Sequence, residues 1–139
     1  MMTYKLKLDN LDPVVSKFGR KIKNGVVILK GDLAAGKTTL VKAVVKALGI
    51  DDEVTSPTFS LQQCYGDAIY HYDMYNHGLE HFISLGMLEE LDKEGLHFVE
   101  WGDDELVEIL KSAGIPTVVI EIEKVSDNER EYRIDYAQA

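Results

Sequence analysis

The segment Gly31-Asp32-Leu33-Ala34-Ala35-Gly36-Lys37-Thr38 fits the phosphate-loop pattern GxxxxGK[ST] in full, and its flanks restrict the folds open to the chain. Ahead of it, Val26-Val27-Ile28-Leu29-Lys30 is a short apolar, β-branched run that reads as a buried parallel strand. Behind it, Leu40, Val41, Val44, Val45 and Leu48 recur at helical spacing, with Lys42 and Lys46 on the other side and Gly49 as the stop. Strand, glycine loop and helix together aim successive backbone N–H groups and a helix N-terminus at one point, as nucleoside triphosphates require. Lys37 is expected to reach the β- and γ-phosphates as a point charge, and the Thr38 hydroxyl to take a Mg²⁺ site. The expected nucleotide-binding residues are Asp32, Leu33, Ala34, Ala35, Gly36, Lys37, Thr38 and Thr39.

A chain of 139 residues is expected to form one domain, residues 1–139, with a sizeable core. Its 45% apolar and 28% charged content is ordinary for a soluble globular domain. No stretch is long enough to span a membrane, and Met1 to Lys7 lacks the apolar core of a signal peptide. The lone Cys64 cannot form an internal disulfide and reads as a small buried residue rather than a catalytic thiol. A reducing cytoplasm fits these features. The net charge of −9 is uneven: residues 1–46 hold ten basic and three acidic side chains, the remainder five and twenty-one. The acidic remainder argues against non-specific RNA binding, which phosphate neutralisation drives. It reads first as a solvated surface and second as a docking face for a basic partner.

No repeat, low-complexity stretch or linker interrupts the sequence. Tyr4 to Leu8 alternates like an edge strand, and Asp12-Pro13 caps a helix expected through about Arg20, with Val14, Val15 and Phe18 inward. Asn24-Gly25 turns into the first core strand. Residues 59–65 and 68–73 flank Gly66-Asp67 as an antiparallel hairpin, and residues 80–93 read as helix broken near Gly86. Leu96 to Val99 forms a strand ending at Glu100, before a helix from Asp103 to Ser112 with Leu106, Ile109 and Leu110 on one face. Strands over 117–125 and 131–136 close the chain. The expected fold is α/β, three-layer and P-loop NTPase-like, its central sheet parallel in the middle with antiparallel edge strands and helices on both faces.

Hydrolysis needs more than a phosphate loop: a metal-side carboxylate, a group that orients water, and stabilisation of transition-state charge. Ligands bind outside the C-terminal ends of strands in open α/β sheets. Two carboxylates qualify there: Asp73 after Ile69-Tyr70-His71-Tyr72, and Glu100 after Leu96-His97-Phe98-Val99. Either can be metal ligand or water-orienting acid. Thr55-Ser56-Pro57-Thr58 is a stiff polar loop able to hold Mg²⁺ or water, or an ordinary turn before the hairpin.

GDLAAGKTT, VTSPTF at 54–59, HYDMY at 71–75 and VEW at 99–101, in this order and spacing, resemble the TsaE family, also called YjeE. These are small bacterial P-loop ATPases in the pathway that makes threonylcarbamoyladenosine in tRNA. The resemblance runs from about Val14 to the terminal strands. It implies that Lys37 binds phosphates and that Thr38 ligates Mg²⁺ with Asp73, Glu100 standing as the further acidic candidate. Thr55 and Thr58 would belong to a nucleotide-sensing loop, Thr58 among the catalytic groups with Glu100 and Lys37. Glu100 would orient or activate water, with Trp101 beside the nucleotide or in simple packing. The implied partners are TsaB and TsaD, whose synthase this ATPase would reset, with tRNA met only through that complex and no membrane involved.

Two positions depart from the family pattern. Ala34 stands where Gly is usual, and a Cβ costs on the order of 1 kcal/mol if that position needs φ > 0. Asn76 and His77 follow Tyr75 where an arginine is frequent, leaving its role unassigned. A small-molecule kinase is the first rival, yet Arg20, Arg130 and Arg133 are the only arginines and none lies between the loop and Glu100. A guanine-reading Asn-Lys-x-Asp motif is absent, which weighs against a GTPase. A non-enzymatic subunit shaped by bound nucleotide is the remaining alternative.

Overall fold

The computed structural model describes residues 2–18, 22–32, 35–54, 62–75 and 78–138. One seven-stranded sheet runs through them in the order β1-β7-β6-β2-β5-β4-β3. The strands are β1 (Met2–Lys7), β2 (Gly25–Lys30), β3 (Gln62–Tyr65), β4 (Ile69–Asp73), β5 (Leu96–Glu100), β6 (Thr117–Lys124) and β7 (Glu129–Gln138). The helices are α1 (Asp12–Val15), α2 (Lys37–Ala47), α3 (Leu79–Ser84), α4 (Met87–Leu91) and α5 (Asp104–Ser112). β2 pairs in parallel with β5 and β6, and β5 with β4, whereas β1–β7, β6–β7 and β3–β4 are antiparallel. Helical crossovers join the parallel strands and short turns join β3 to β4 and β6 to β7, while β1, from the opposite end of the chain, closes against β7.

Side-chain alternation divides the core into two layers. Val27, Leu29, Leu96 and Phe98 face α1 and α2, where Leu40, Val41, Val44 and Val45 of α2 complete the packing. Val26, Ile28, Tyr72 and Val99 face the other way, toward Phe82, Leu91, Leu106, Val107 and Leu110. β2 is buried along Val26–Leu29, which explains its unbroken apolar run.

Several local expectations change. The first helix is only α1, preceded by Leu11 as N-cap. Its continuation tightens into turns with Lys17 N–H on Val14 O and Phe18 N–H on Val15 O, which carries Phe18 onto Phe98 at 5.5 Å. Arg20 lies outside the described residues. Leu48 is the C-cap of α2 and is exposed, so it does not share that helix's buried face. In α5, Val107 joins Leu106 and Leu110 in the core, and Ile109 is half-buried. Cys64 is exposed, not buried: on the short edge strand β3, Tyr65 takes the inward position and its neighbour turns out.

Candidate functional site

β2 delivers the chain to Gly31, and α2 begins at Lys37 with Gly36 as its N-cap. Gly36 has φ +108°, a left-handed conformation that a side chain would strain. Gly31 is fixed by close approach: a Cβ there would lie 2.6 Å from the Ile122 carbonyl oxygen of β6. Lys37 is buried and folds back over the loop, its Nζ donating to Gly31 O at 2.7 Å and Asp32 O at 2.9 Å. Nζ also sits 4.0 Å from the centre of the Trp101 ring. Burial lowers the Lys37 pKa, opposed by the negative charges of Glu100, Asp73 and Asp32.

Parallel pairing sets Asp73 opposite Glu100 at the ends of β4 and β5. Glu100 is buried, and its Oε2 accepts from the Thr38 hydroxyl at 2.9 Å. The same oxygen meets His71 Nε2 at 2.5 Å, and His71 Nδ1 meets the Tyr65 hydroxyl at 2.9 Å. Asp73 turns its Oδ1 to the Tyr75 N–H at 2.8 Å. Trp101 follows Glu100 with φ +67°, and its ring packs on exposed Tyr75 at 4.9 Å between centroids. A left-handed tryptophan stores strain that the surrounding packing must hold. Beside the loop opens a cavity of about 620 Å³, lined by Lys30, Gly31, Asp32, Ala35 and Trp101 and by residues of β6 and β7.

Lys37, Thr38, Glu100 and Trp101 are therefore brought together, with Asp73 close enough to act on the Lys37 charge. Asp32, Ala35 and Gly36 lie along the same loop, while the exposed Thr39 lines a separate groove between α1 and α2. Leu33, Ala34, Thr55, Ser56, Pro57, Thr58, Asn76 and His77 fall outside the described residues. Sequence reasoning missed two groups. His71 stood in a quoted motif without a role, although its spacing from Asp73 on a strand puts both on one face. Arg130 donates from Nε to Ala35 O at 2.9 Å across ninety-five positions, a pairing that nothing local could announce.

The donor set suits Mg²⁺. Threonine hydroxyl and carboxylate oxygens are hard ligands, and this ion keeps waters and takes one or two carboxylates plus phosphate oxygens. Among the described residues no cluster of three or more His, Cys, Asp or Glu side chains could cage a metal unaided.

Strand, glycine loop and helix on a sheet with helices on both faces define a three-layer α/β protein of P-loop NTPase-like fold. Residues 7–132 match the family described as Threonylcarbamoyl adenosine biosynthesis protein TsaE, and the chain belongs to that family. The tRNA threonylcarbamoyladenosine biosynthesis protein TsaE of Treponema pallidum is 38% identical over 120 residues, 84% of this chain and 86% of its own. The protein of the same name from Bacillus subtilis is 38% identical over 109 residues, 76% of this chain and 66% of its own. A crystal structure of Bacillus subtilis YdiB superposes with a TM-score of 0.68 at 29% identity, covering 94% of this chain and 82% of that one. TsaE proteins are involved in tRNA threonylcarbamoyladenosine biosynthesis. Among the described residues no helix is long and apolar enough to cross a membrane.

Proposed function

We propose that this chain binds ATP with Mg²⁺ and hydrolyses it in the cytoplasm, slowly alone and faster with a TsaB–TsaD pair whose synthesis of threonylcarbamoyladenosine it sustains. The observation that carries this reading is the 2.9 Å hydrogen bond from the Thr38 hydroxyl to Glu100, formed beside the buried Lys37 ammonium. A cavity of about 620 Å³, lined on one side by Gly31, Asp32, Ala35 and Trp101, opens along the same loop and is of the size that takes a small-molecule ligand.

Thr38, Asp73 and Glu100 are the side chains that would hold Mg²⁺, which when bound neutralises charge on the β- and γ-phosphates. Lys37 exchanges the Gly31 and Asp32 carbonyls for phosphate oxygens, so its bond to the loop is replaced rather than lost. Glu100 orients a water for in-line attack. The water oxygen bonds to the γ-phosphorus as the bridging P–O bond breaks, the electron pair leaves on ADP, and the water's proton passes to an oxygen of the released phosphate. His71 holds the Glu100 carboxylate from behind and limits its rotation. Trp101 screens Lys37 from solvent.

The slow rate in isolation is inferred from the lack of any arginine in the sequence between the glycine loop and Glu100, since an arginine finger is worth about 10³–10⁵ in rate. The test is Mg²⁺-dependent phosphate release from ATP and GTP, for the chain alone and with TsaB–TsaD. Low turnover alone, a rise with the pair and a fall of about 10²–10⁴ in Glu100→Gln with ATP binding kept are the expected results. Bound ATP with no turnover under either condition would replace hydrolysis with a nucleotide-gated scaffold.

A further inference from the structure

We propose that Arg130 is a positioning residue for the phosphate loop, acting through the peptide that joins Ala35 to Gly36. The inference rests on the nucleotide reading above and adds a residue to that site from the opposite end of the chain. Arg130 lies near the start of β7 and is buried, although arginine is among the residues least often buried. Its Nε donates to Ala35 O at 2.9 Å, and its Nη1 donates to Ser126 O at 2.6 Å and to Glu129 O at 3.1 Å. One edge of the guanidinium therefore grips the β6–β7 turn through Nη1 and another grips the loop through Nε.

Peptide planarity turns this grip into an orientation. In a trans peptide the carbonyl and the following N–H point in opposite directions. Holding Ala35 O toward Arg130 thus turns the Gly36 N–H away from Arg130 and toward the other side of the loop. Rotation of that peptide is otherwise easy, because Gly36 at φ +108° tolerates conformations closed to other residues. A Cβ on Gly36 would lie 3.8 Å from Arg130 Nε, so the guanidinium stands against the very residue whose freedom it restricts. Lys37 meanwhile engages the carbonyls of Gly31 and Asp32. Two cations thus secure the carbonyls of Gly31, Asp32 and Ala35, and the Ala35 N–H is spent on Asp32 O at 3.0 Å, so the Gly36 N–H is the donor whose direction the Arg130 contact sets.

The experiment measures ATP and ADP affinity, KM and kcat, and the melting temperature of the full chain for wild type, Arg130→Met, Arg130→Lys and Asp127→Ala. Asp127 is fully exposed on the same turn, where it pairs with Lys124 at 3.4 Å, and it serves as the control for turn stability. Losing a charged hydrogen bond of this kind should weaken nucleotide binding and raise KM roughly 10- to 100-fold in Arg130→Met, with kcat changed much less. Arg130→Lys should recover part of the affinity, since lysine restores the charge without the planar fork. Asp127→Ala should bind as wild type. A lowered melting temperature with unchanged affinity in Arg130→Met would make Arg130 a staple of the turn and overturn the proposal. Should Arg130→Met fail to fold, wild-type affinity in folded Arg130→Lys overturns it equally. Wild-type protein that binds no nucleotide would bring down the nucleotide reading itself, a result distinct from either variant outcome.

Discussion

His97 shows how a single buried residue couples this protein to pH. It is buried, with Nδ1 at 2.8 Å from the Tyr72 hydroxyl and Nε2 at 2.8 Å from Lys93 O. Gln62 donates to the same Tyr72 oxygen, so that hydroxyl gives its proton to His97, and burial raises the Tyr72 pKa and keeps the proton in place. The network is complete only with neutral His97 carrying its proton on Nε2. Burial holds the imidazole pKa below its ordinary 6.5, with the Lys93 carbonyl and Glu90 opposing and the Lys93 charge assisting. Tyr70 stacks on the ring at 4.4 Å and adds no charge. The unfolded chain therefore takes up a proton as pH falls below 6.5 while the folded chain resists it. This contribution to stability is whole above that value and is lost progressively as pH drops toward the folded pKa. Thermal melts from pH 7.5 to 5 should show a shallower decline in His97→Asn than in wild type. Parallel declines would relieve His97 of this role.

Elements stand or fall here on their terminal residues as much as on their faces. Asp103 caps α5, its Oδ1 accepting from the Leu106 N–H at 2.8 Å, and that helix covers β2 and β5 with Leu106, Val107 and Leu110. Asp103→Ala should lower stability by about 0.5–2 kcal/mol in urea unfolding and leave the glycine loop intact. The sequence placed the start of this helix at Asp103 without reading it as a cap; β2, α2, the hairpin over Gly66-Asp67 and the break at Gly86 were legible because each is written in adjacent residues. The length of α1 was not, because the burial of Phe18 against Phe98 decides it. Nor was the exposure of Cys64, which depends on β3 being the last strand of the sheet. The candidate site divides the same way. Lys37, Thr38, Asp73 and Glu100 occupy strand ends and a motif, and could be named beforehand. The contacts of Glu100 with His71, and of Ala35 with Arg130, arise only once β4, β5 and β7 are laid side by side.

For the whole molecule, the proposed nucleotide binding can be read out through folding. A ligand held by the folded chain alone adds about 2.7 kcal/mol at a hundred times its Kd. For a chain of this size that corresponds to a rise of roughly 5–10 °C in melting temperature. Saturating Mg²⁺–ATP should produce such a rise in wild type and none in Lys37→Ala, measured by calorimetry. The proposed docking to TsaB and TsaD is tested at this scale too. Residues 47–139 carry five basic and twenty-one acidic side chains, so association through them should weaken steeply with added salt.

The strand order also sets a timetable. β2 carries the glycine loop and appears early, yet one of its two neighbours is β6, and the arginine on Ala35 arrives with β7. During synthesis from the N-terminus, the ribosome releases the loop long before the strands that flank and brace it. A nascent chain thus exposes the glycine-loop sequence from an early stage and completes the contacts that brace it only as the last hairpin closes.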